Sequence, residues 1–139
     1  MKTIYTKVVA DLFHAGHVNF FRQARSLGDR LVVQVVGDER VAAAKRAPLM
    51  NQAERLAVVS GCRYVDEAVA DGPRLITREF MRAHDFAIYA YATVDDAEAV
   101  AKRRDCADLP DDMVAVLRYT GGISSTLLFN RMRERLRKT

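Results

Sequence analysis

The chain has 139 residues, 50% of them hydrophobic and 29% charged, which is one domain's worth of material with enough apolar surface for its own core. That balance excludes a disordered tail, a collagen-like rod and a low-complexity linker. The net charge of +4, from 22 basic and 18 acidic residues, favours anionic small molecules. The basic run Arg131, Arg133, Arg135, Arg137 and Lys138 has no interleaved aromatic residues for base stacking, so no nucleic-acid partner is expected.

No apolar run approaches the roughly 18 to 20 residues of a bilayer span, and MKTIYTKVVADLF has polar breaks where a signal h-region would lie, so no membrane association and a cytoplasmic location are expected. Cys62 and Cys106 lie far apart with no C-x-x-C spacing, which fits a reducing compartment.

Thr3 to Ala10 (TIYTKVVA) is β-rich and runs into Asp11-Leu12-Phe13-His14-Ala15-Gly16-His17, whose Ala-Gly break reads as a turn. From His17 to Leu27, Val18, Phe20, Phe21, Ala24 and Leu27 recur at helical spacing, and Gly28 is a natural stop. Arg30 to Gly37 (RLVVQVVG) is an apolar run of strand length, suited to a parallel strand covered on both faces. A helix is predicted over Asn51 to Val59, a short strand over Glu67 to Val69, a helix over Thr77 to His84, and strands over Phe86 to Ala92 and Met113 to Leu117. A last helix starts near Ser124. Alternating strands and helices predict a single α/β domain over residues 1–139, a Rossmann-like parallel sheet with helices on both faces. In such sheets ligands bind beyond the carboxyl ends of the strands where strand order reverses, which directs attention to the loop after the first strand.

His14 and His17, two of the three histidines in the chain, fall on that loop. Ala15 and Gly16 between them leave backbone amides open, and the following helix start adds unpaired N–H donors and the positive end of its dipole, an anion site suited to phosphate. Two other readings of the pair are a helix cap with a core histidine, and a metal site in which Asp11, His14 and His17 converge. The segment Tyr119-Thr120-Gly121-Gly122-Ile123-Ser124-Ser125-Thr126 joins the last strand to the last helix. Its serines suit an N-cap, and its doubled glycine suits close approach of a ligand to the backbone.

These two loops carry a family likeness. His14-Ala15-Gly16-His17 resembles the HxGH signature, and Gly122-Ile123-Ser124-Ser125-Thr126 the ISTT-type signature, of the cytidylyltransferase branch of the nucleotidyltransferase superfamily. Asp11 to His14 resembles that family's DLxH, Gly28 to Val33 its GDxLxV, Lys45 to Pro48 its KxxP, Glu54-Arg55 its ER and Arg63 to Glu67 its RYVDE, in order from Asp11 to Thr126.

The resemblance implies transfer of CMP from CTP to the phosphate or phosphonate of a small alcohol, with loss of pyrophosphate. It implies catalytic roles for His14, His17, Lys45 and Ser124, the histidines stabilising charge at the α-phosphorus and Lys45 neutralising phosphates. Nucleotide contacts are implied for Val9, Ala10, Gly16, Tyr119, Thr120, Gly122, Ile123, Ser125 and Thr126. Arg55 or Arg63 would hold the acceptor's phosphate, with Lys45, and Asp38 after the second strand lies where an acceptor could bind. Arg55 and Arg63 also have Glu54, Asp66 and Glu67 as ion-pair candidates, and Lys45 also reads as an exposed helix lysine. Asp11 reads as a structural acceptor bracing the histidine loop. Mg²⁺ is implied as the triphosphate's charge partner with no metal site on the chain, and a homodimer is implied. Transfer from ATP, a nucleotide-binding regulator without turnover and a metal-dependent hydrolase are the alternatives.

Three departures bear on the site. Val8-Val9-Ala10 stands where the family has Gly-Thr-Phe, Tyr119 stands at the arginine of its RTxGIS pattern with Arg118 adjacent, and Tyr89 to Asp96 replaces its G-D-D region. In that last region either Asp95 and Asp96 substitute on a displaced loop, or base or ribose recognition has changed.

Overall fold

The structure, a computed structural model describing residues 1–44 and 46–139, alternates strands and helices along the chain. Strands β1 (Thr3–Val8), β2 (Arg30–Val35), β3 (Glu67–Val69), β4 (Phe86–Thr93) and β5 (Val114–Arg118) pair in parallel in the order β3-β2-β1-β4-β5. Helices α1 (Ala15–Arg25), α2 (Asp38–Ala44), α3 (Gln52–Ser60), α4 (Arg78–Ala83), α5 (Asp96–Arg103) and α6 (Ser125–Lys138) connect them and close the chain. This is the Rossmann-like architecture that the alternating pattern predicts. The strand order reverses between β1 and β4, so a ligand site belongs beyond the carboxyl ends of those two strands.

Alternate residues of β1 serve two cores. Ile4 packs with Phe20, Phe21 and Ala24 of α1 and Val59 of α3 on one face. Tyr5 packs with Ile76, Met81, Tyr89 and Tyr91 on the other. Burial on both faces explains the unbroken apolar run of β2, whose Leu31, Val33 and Val32 divide between the same two cores.

Two helices differ from the sequence prediction. α2 buries only Val41 and α5 buries nothing, and both are short and rich in alanine and charge, so neither presents a run of large apolar residues in the sequence. Local chemistry starts α5: the Asp95 carboxylate accepts from the Glu98 amide at 2.8 Å. α3 begins with a reciprocal box in which the Asn51 side chain accepts from the Glu54 amide and the Glu54 carboxylate accepts from the Asn51 amide, both at 2.9 Å.

Candidate active site

Where β1 ends, Ala10 (φ 58°) and Leu12 (φ 51°) take left-handed backbone on either side of Asp11. Such conformations in non-glycine residues cost about 1 kcal/mol or more each and persist only where the surroundings over-determine them. Asp11 is the over-determining group. Its buried carboxylate accepts from the amides of Leu49 (2.9 Å) and Met50 (3.0 Å), and its carbonyl accepts from the Ser125 hydroxyl (2.5 Å). Asp11 is thus a structural acceptor, and it ties the turn after β1 to the residues before α3 and to the first turn of α6.

The histidine pair is a reciprocal helix cap. His14 is the N-cap of α1, and its Nδ1 accepts from the Gly16 amide at 3.0 Å; His17, three residues on, accepts from the His14 amide through its own Nδ1 at 3.1 Å. The spacing of three is therefore that of a capping box, with imidazoles in place of the usual hydroxyl and carboxylate. An Nδ1 that accepts carries no proton, so each neutral ring presents its N–H at Nε2. Burial pushes both histidines below their ordinary range, His17 to about 4, and the neighbouring His14 charge adds to the effect on His17. The ring centroids lie 3.9 Å apart. Gly16 is required for a spatial reason: a Cβ there would meet His14 Cε1 at 2.8 Å and Nδ1 at 3.0 Å. Capping and facing a ligand are compatible, since both histidines also line a cavity.

The second loop faces the first. Gly122 has φ +81°, the glycine-favouring region, and Ser124 caps α6 by accepting from the Leu127 amide at 3.0 Å. Asn19 of α1 donates to the Thr120 hydroxyl at 2.6 Å, joining that helix to the loop. Between the loops lies a cavity of about 630 Å³ that brings together Val9, Ala10, His14, Gly16, His17, Tyr119, Thr120, Gly122, Ile123, Ser124, Ser125 and Thr126, the residues the sequence points to for nucleotide and chemistry. The N-termini of α1 and α6 both border it.

Other expectations fall elsewhere. Arg55 is fully buried and donates to the carbonyls of Met50 (3.0 Å) and Val9 (2.8 Å) and to the Asp38 carboxylate (2.6 Å), so it is an internal brace and not an exposed hand for an acceptor's phosphate. Asp38, half-exposed at the start of α2, is engaged by that pair and does not line the cavity. Arg63 stands between α3 and β3, at the end of the sheet opposite the cavity, exposed beside the Tyr64 ring at 5.7 Å; Asp66 and Glu67 pair instead with Arg25 and Arg30. The strand-loop order sets this, since residues that lead into a parallel strand lie at its amino end. Arg118 donates to the Val94 carbonyl and pairs with Asp96, away from the cavity lining. Lys45 lies outside the described residues.

Three charged residues line the cavity that the sequence reading did not assign: Arg46, whose guanidinium sits 3.8 Å from the centre of the Phe129 ring, and Glu98 and Lys102 of α5. The Asp11 carboxylate is engaged by amides, and among the described residues no three His, Cys, Asp or Glu side chains converge as a metal-binding group. No helix among them is long and apolar enough to cross a membrane.

The cytidylyltransferase-like family model matches residues 9–131, a span that contains both loops and the cavity. The chain belongs to the cytidylyltransferase-like family. It is 39% identical over 106 residues to the ethanolamine-phosphate cytidylyltransferase of Arabidopsis thaliana, covering 75% of this chain and 25% of that protein. It is 35% identical over 133 residues to that of Dictyostelium discoideum, covering 93% of this chain and 36% of that one. It is 34% identical over 138 residues to human choline-phosphate cytidylyltransferase A, again covering 93% and 36%. The cytidylyltransferase-like chain therefore spans only about a quarter to a third of the length of these curated relatives. Among solved structures, the lipopolysaccharide core biosynthesis protein from Thermoplasma volcanium GSS1 has a TM-score of 0.63 at 24% identity, covering 86% of this chain and 97% of that one. A likeness at that identity speaks for the fold.

Proposed function

We propose that this chain transfers CMP from CTP to the phosphate of a small alcohol. A phosphate oxygen of the acceptor attacks the α-phosphorus, the bond from that phosphorus to the bridging oxygen breaks, and pyrophosphate leaves with the electron pair. Family membership supports the reaction class, and the names of the relatives support phosphoethanolamine or phosphocholine as the type of acceptor. A hydroxyalkylphosphonate offers the same attacking oxygen and belongs to this reading.

The observation that carries it is the pair of neutral imidazoles, each fixed with Nε2–H as its donor, in a cavity bordered by two helix N-termini. Transfer of this kind needs little covalent help and much positioning and charge stabilisation. A neutral imidazole suits that work: it donates to a phosphate oxygen as negative charge builds, and no proton has to be lost first. Donors of this kind are worth about 10²- to 10³-fold in rate. Ser124, Ser125 and Thr126, with the amides of their turn, would take the β- and γ-phosphates. Lys45 and Arg46 would neutralise charge between nucleotide and acceptor.

Mg²⁺ fits this site only as a companion of the triphosphate. The carboxylates lining the cavity, Asp11 and Glu98, are engaged by backbone amides and by Lys102, which speaks against a cage among the described residues. A homodimer is part of the proposal, and sedimentation of the purified chain tests it. The deciding experiment is Mg²⁺-dependent pyrophosphate release from CTP, and separately ATP, against a panel of phospho-alcohols and hydroxyalkylphosphonates. CTP with one acceptor establishes the reading; release with ATP alone replaces it with adenylyl transfer, and nucleotide binding without release replaces it with a regulator.

A further inference from the structure

The wall of the cavity beyond β4 and β5 has a chemistry unlike the rest. Asp95 is spent capping α5 and Asp96 pairs with Arg118 at 3.3 Å, so neither faces the cavity. Glu98, Lys102 and Tyr119 line it there, on an apolar shelf that includes Ala92 and Val94.

Lys102 joins three groups by two hydrogen bonds and one ion pair. Its Nζ donates to the Ala92 carbonyl (2.6 Å) and the Tyr119 hydroxyl oxygen (3.0 Å) and pairs with Glu98 Oε1 (3.1 Å). Two of the ammonium protons are thus placed in hydrogen bonds, and the charge is met by Glu98. The neighbours of Lys102 keep the free hydrogen-bonding groups. The Tyr119 oxygen accepts from Lys102, so its own proton can be donated, and that proton has no acceptor among the described residues. Glu98 receives Lys102 and the Val94 amide (3.3 Å) on Oε1, which leaves Oε2 uncommitted. The Glu98–Lys102 pair is neutral as a whole and has little to offer a phosphate. Together with Tyr119, about half-exposed, and Val94, more so, it offers one acceptor and one donor beside apolar surface. A flat heterocycle with a polar edge is the part of a nucleotide that such a wall accommodates, since the imidazoles, the helix starts and Arg46, which suit phosphate, lie elsewhere in the lining.

We propose that Glu98 and Tyr119, positioned by Lys102, read the hydrogen-bonding edge of the nucleobase and select bases with an exocyclic amine. This rests on the nucleotide reading above. The amine donates to Glu98, and the adjacent ring acceptor takes the Tyr119 proton. A keto base places a carbonyl oxygen against the carboxylate, two acceptors with no proton between them, and a site built for one edge rejects the other strongly. Glu98 and Tyr119 touch the base; Lys102 is a positioning residue.

The test uses the full chain, with dissociation constants for CTP, UTP and dCTP alongside pyrophosphate release. Glu98→Gln keeps the shape of the side chain and allows it to donate to a keto oxygen. It is expected to weaken CTP by about tenfold and to reduce the CTP-over-UTP preference by at least that factor, with the CTP-to-dCTP ratio unchanged. Lys102→Met is expected to raise KM for CTP and not for the acceptor, with partial recovery in Lys102→Arg; thermal unfolding of each variant separates this from loss of fold. An unaltered CTP-to-UTP ratio in Glu98→Gln overturns the proposal, as does a change confined to the CTP-to-dCTP ratio, which would move the contact to the ribose. If the wild type binds CTP but releases no pyrophosphate with any acceptor, the transferase reading fails while base selection is still read from binding.

Discussion

Gly16→Ala separates the two roles of the histidine loop. The new Cβ would stand 2.8 Å from His14 Cε1 and 3.0 Å from Nδ1, where ordinary contact begins at 3.4 Å, so the imidazole must swing away and release the Gly16 amide. Losing a helix N-cap costs about 1 kcal/mol. Replacing glycine by alanine inside a helix returns up to about 1 kcal/mol, because the unfolded chain has less backbone freedom to lose. The two nearly cancel, and the melting temperature is expected to move by only about 5 °C or less. Activity has no such compensation: with His14 displaced and its tautomer no longer fixed, pyrophosphate release is expected to fall about 10²-fold. Calorimetry and a coupled pyrophosphate assay on one preparation measure both. A variant that folds normally and retains most of its rate would refute the inference that the cap fixes the reacting geometry.

Three further outcomes follow from the same contacts. Both imidazoles are harder to protonate in the folded chain than in the unfolded one, so the unfolded chain takes up protons first as pH falls. The His17 contribution is full above pH 6.5, is lost progressively toward pH 4 and is constant below. A fall from 6.5 to about 4 at about 1.36 kcal/mol per pH unit sets a ceiling of about 3 kcal/mol, read as the difference between urea titrations of wild type and His17→Gln across that range. Asp11→Asn turns one carboxylate oxygen into a donor facing an amide N–H and is expected to cost about 2 kcal/mol in the same titration. Arg55→Met leaves the Val9 and Met50 carbonyls without their guanidinium donor and is expected to cost about 2 to 4 kcal/mol; a normally stable variant with a raised acceptor KM would instead restore Arg55 as a substrate contact.

The sheet was legible in the sequence because its strands are buried on both faces and its main helices carry apolar stripes. α2 and α5 were not, since charge and caps hold them with almost no burial. The two loops of the site were legible for a local reason: a capping box needs its partners three residues apart, and a positive-φ turn needs glycine, so both leave marks in short stretches of chain. Arg55 and Arg63 carry the same charge and lie close in sequence, yet one is buried under the turn after β1 and the other stands at the far end of the sheet. Motif spacing does not distinguish those fates. Lys102 leaves no such mark: a lysine four residues after a glutamate on a short polar helix reads as a solvated pair, and its tie to Tyr119 spans 17 residues and joins α5 to the end of β5.

Asp11 has a consequence for the order in which the molecule forms. Its bonds reach 38 and 39 residues along the chain to Leu49 and Met50, and 114 residues to Ser125; the last can close only after β4 and β5 have joined the sheet and the last helix has docked. A contact of 114 residues' separation carries a larger loop-closure entropy than the two shorter ones, and is expected to form late. Interactions absent from the folding transition state govern how fast a protein opens, not how fast it folds. The tie from the Asp11 carbonyl to Ser125 is thus expected to behave as a kinetic latch: Ser125→Ala should quicken unfolding while refolding keeps its pace.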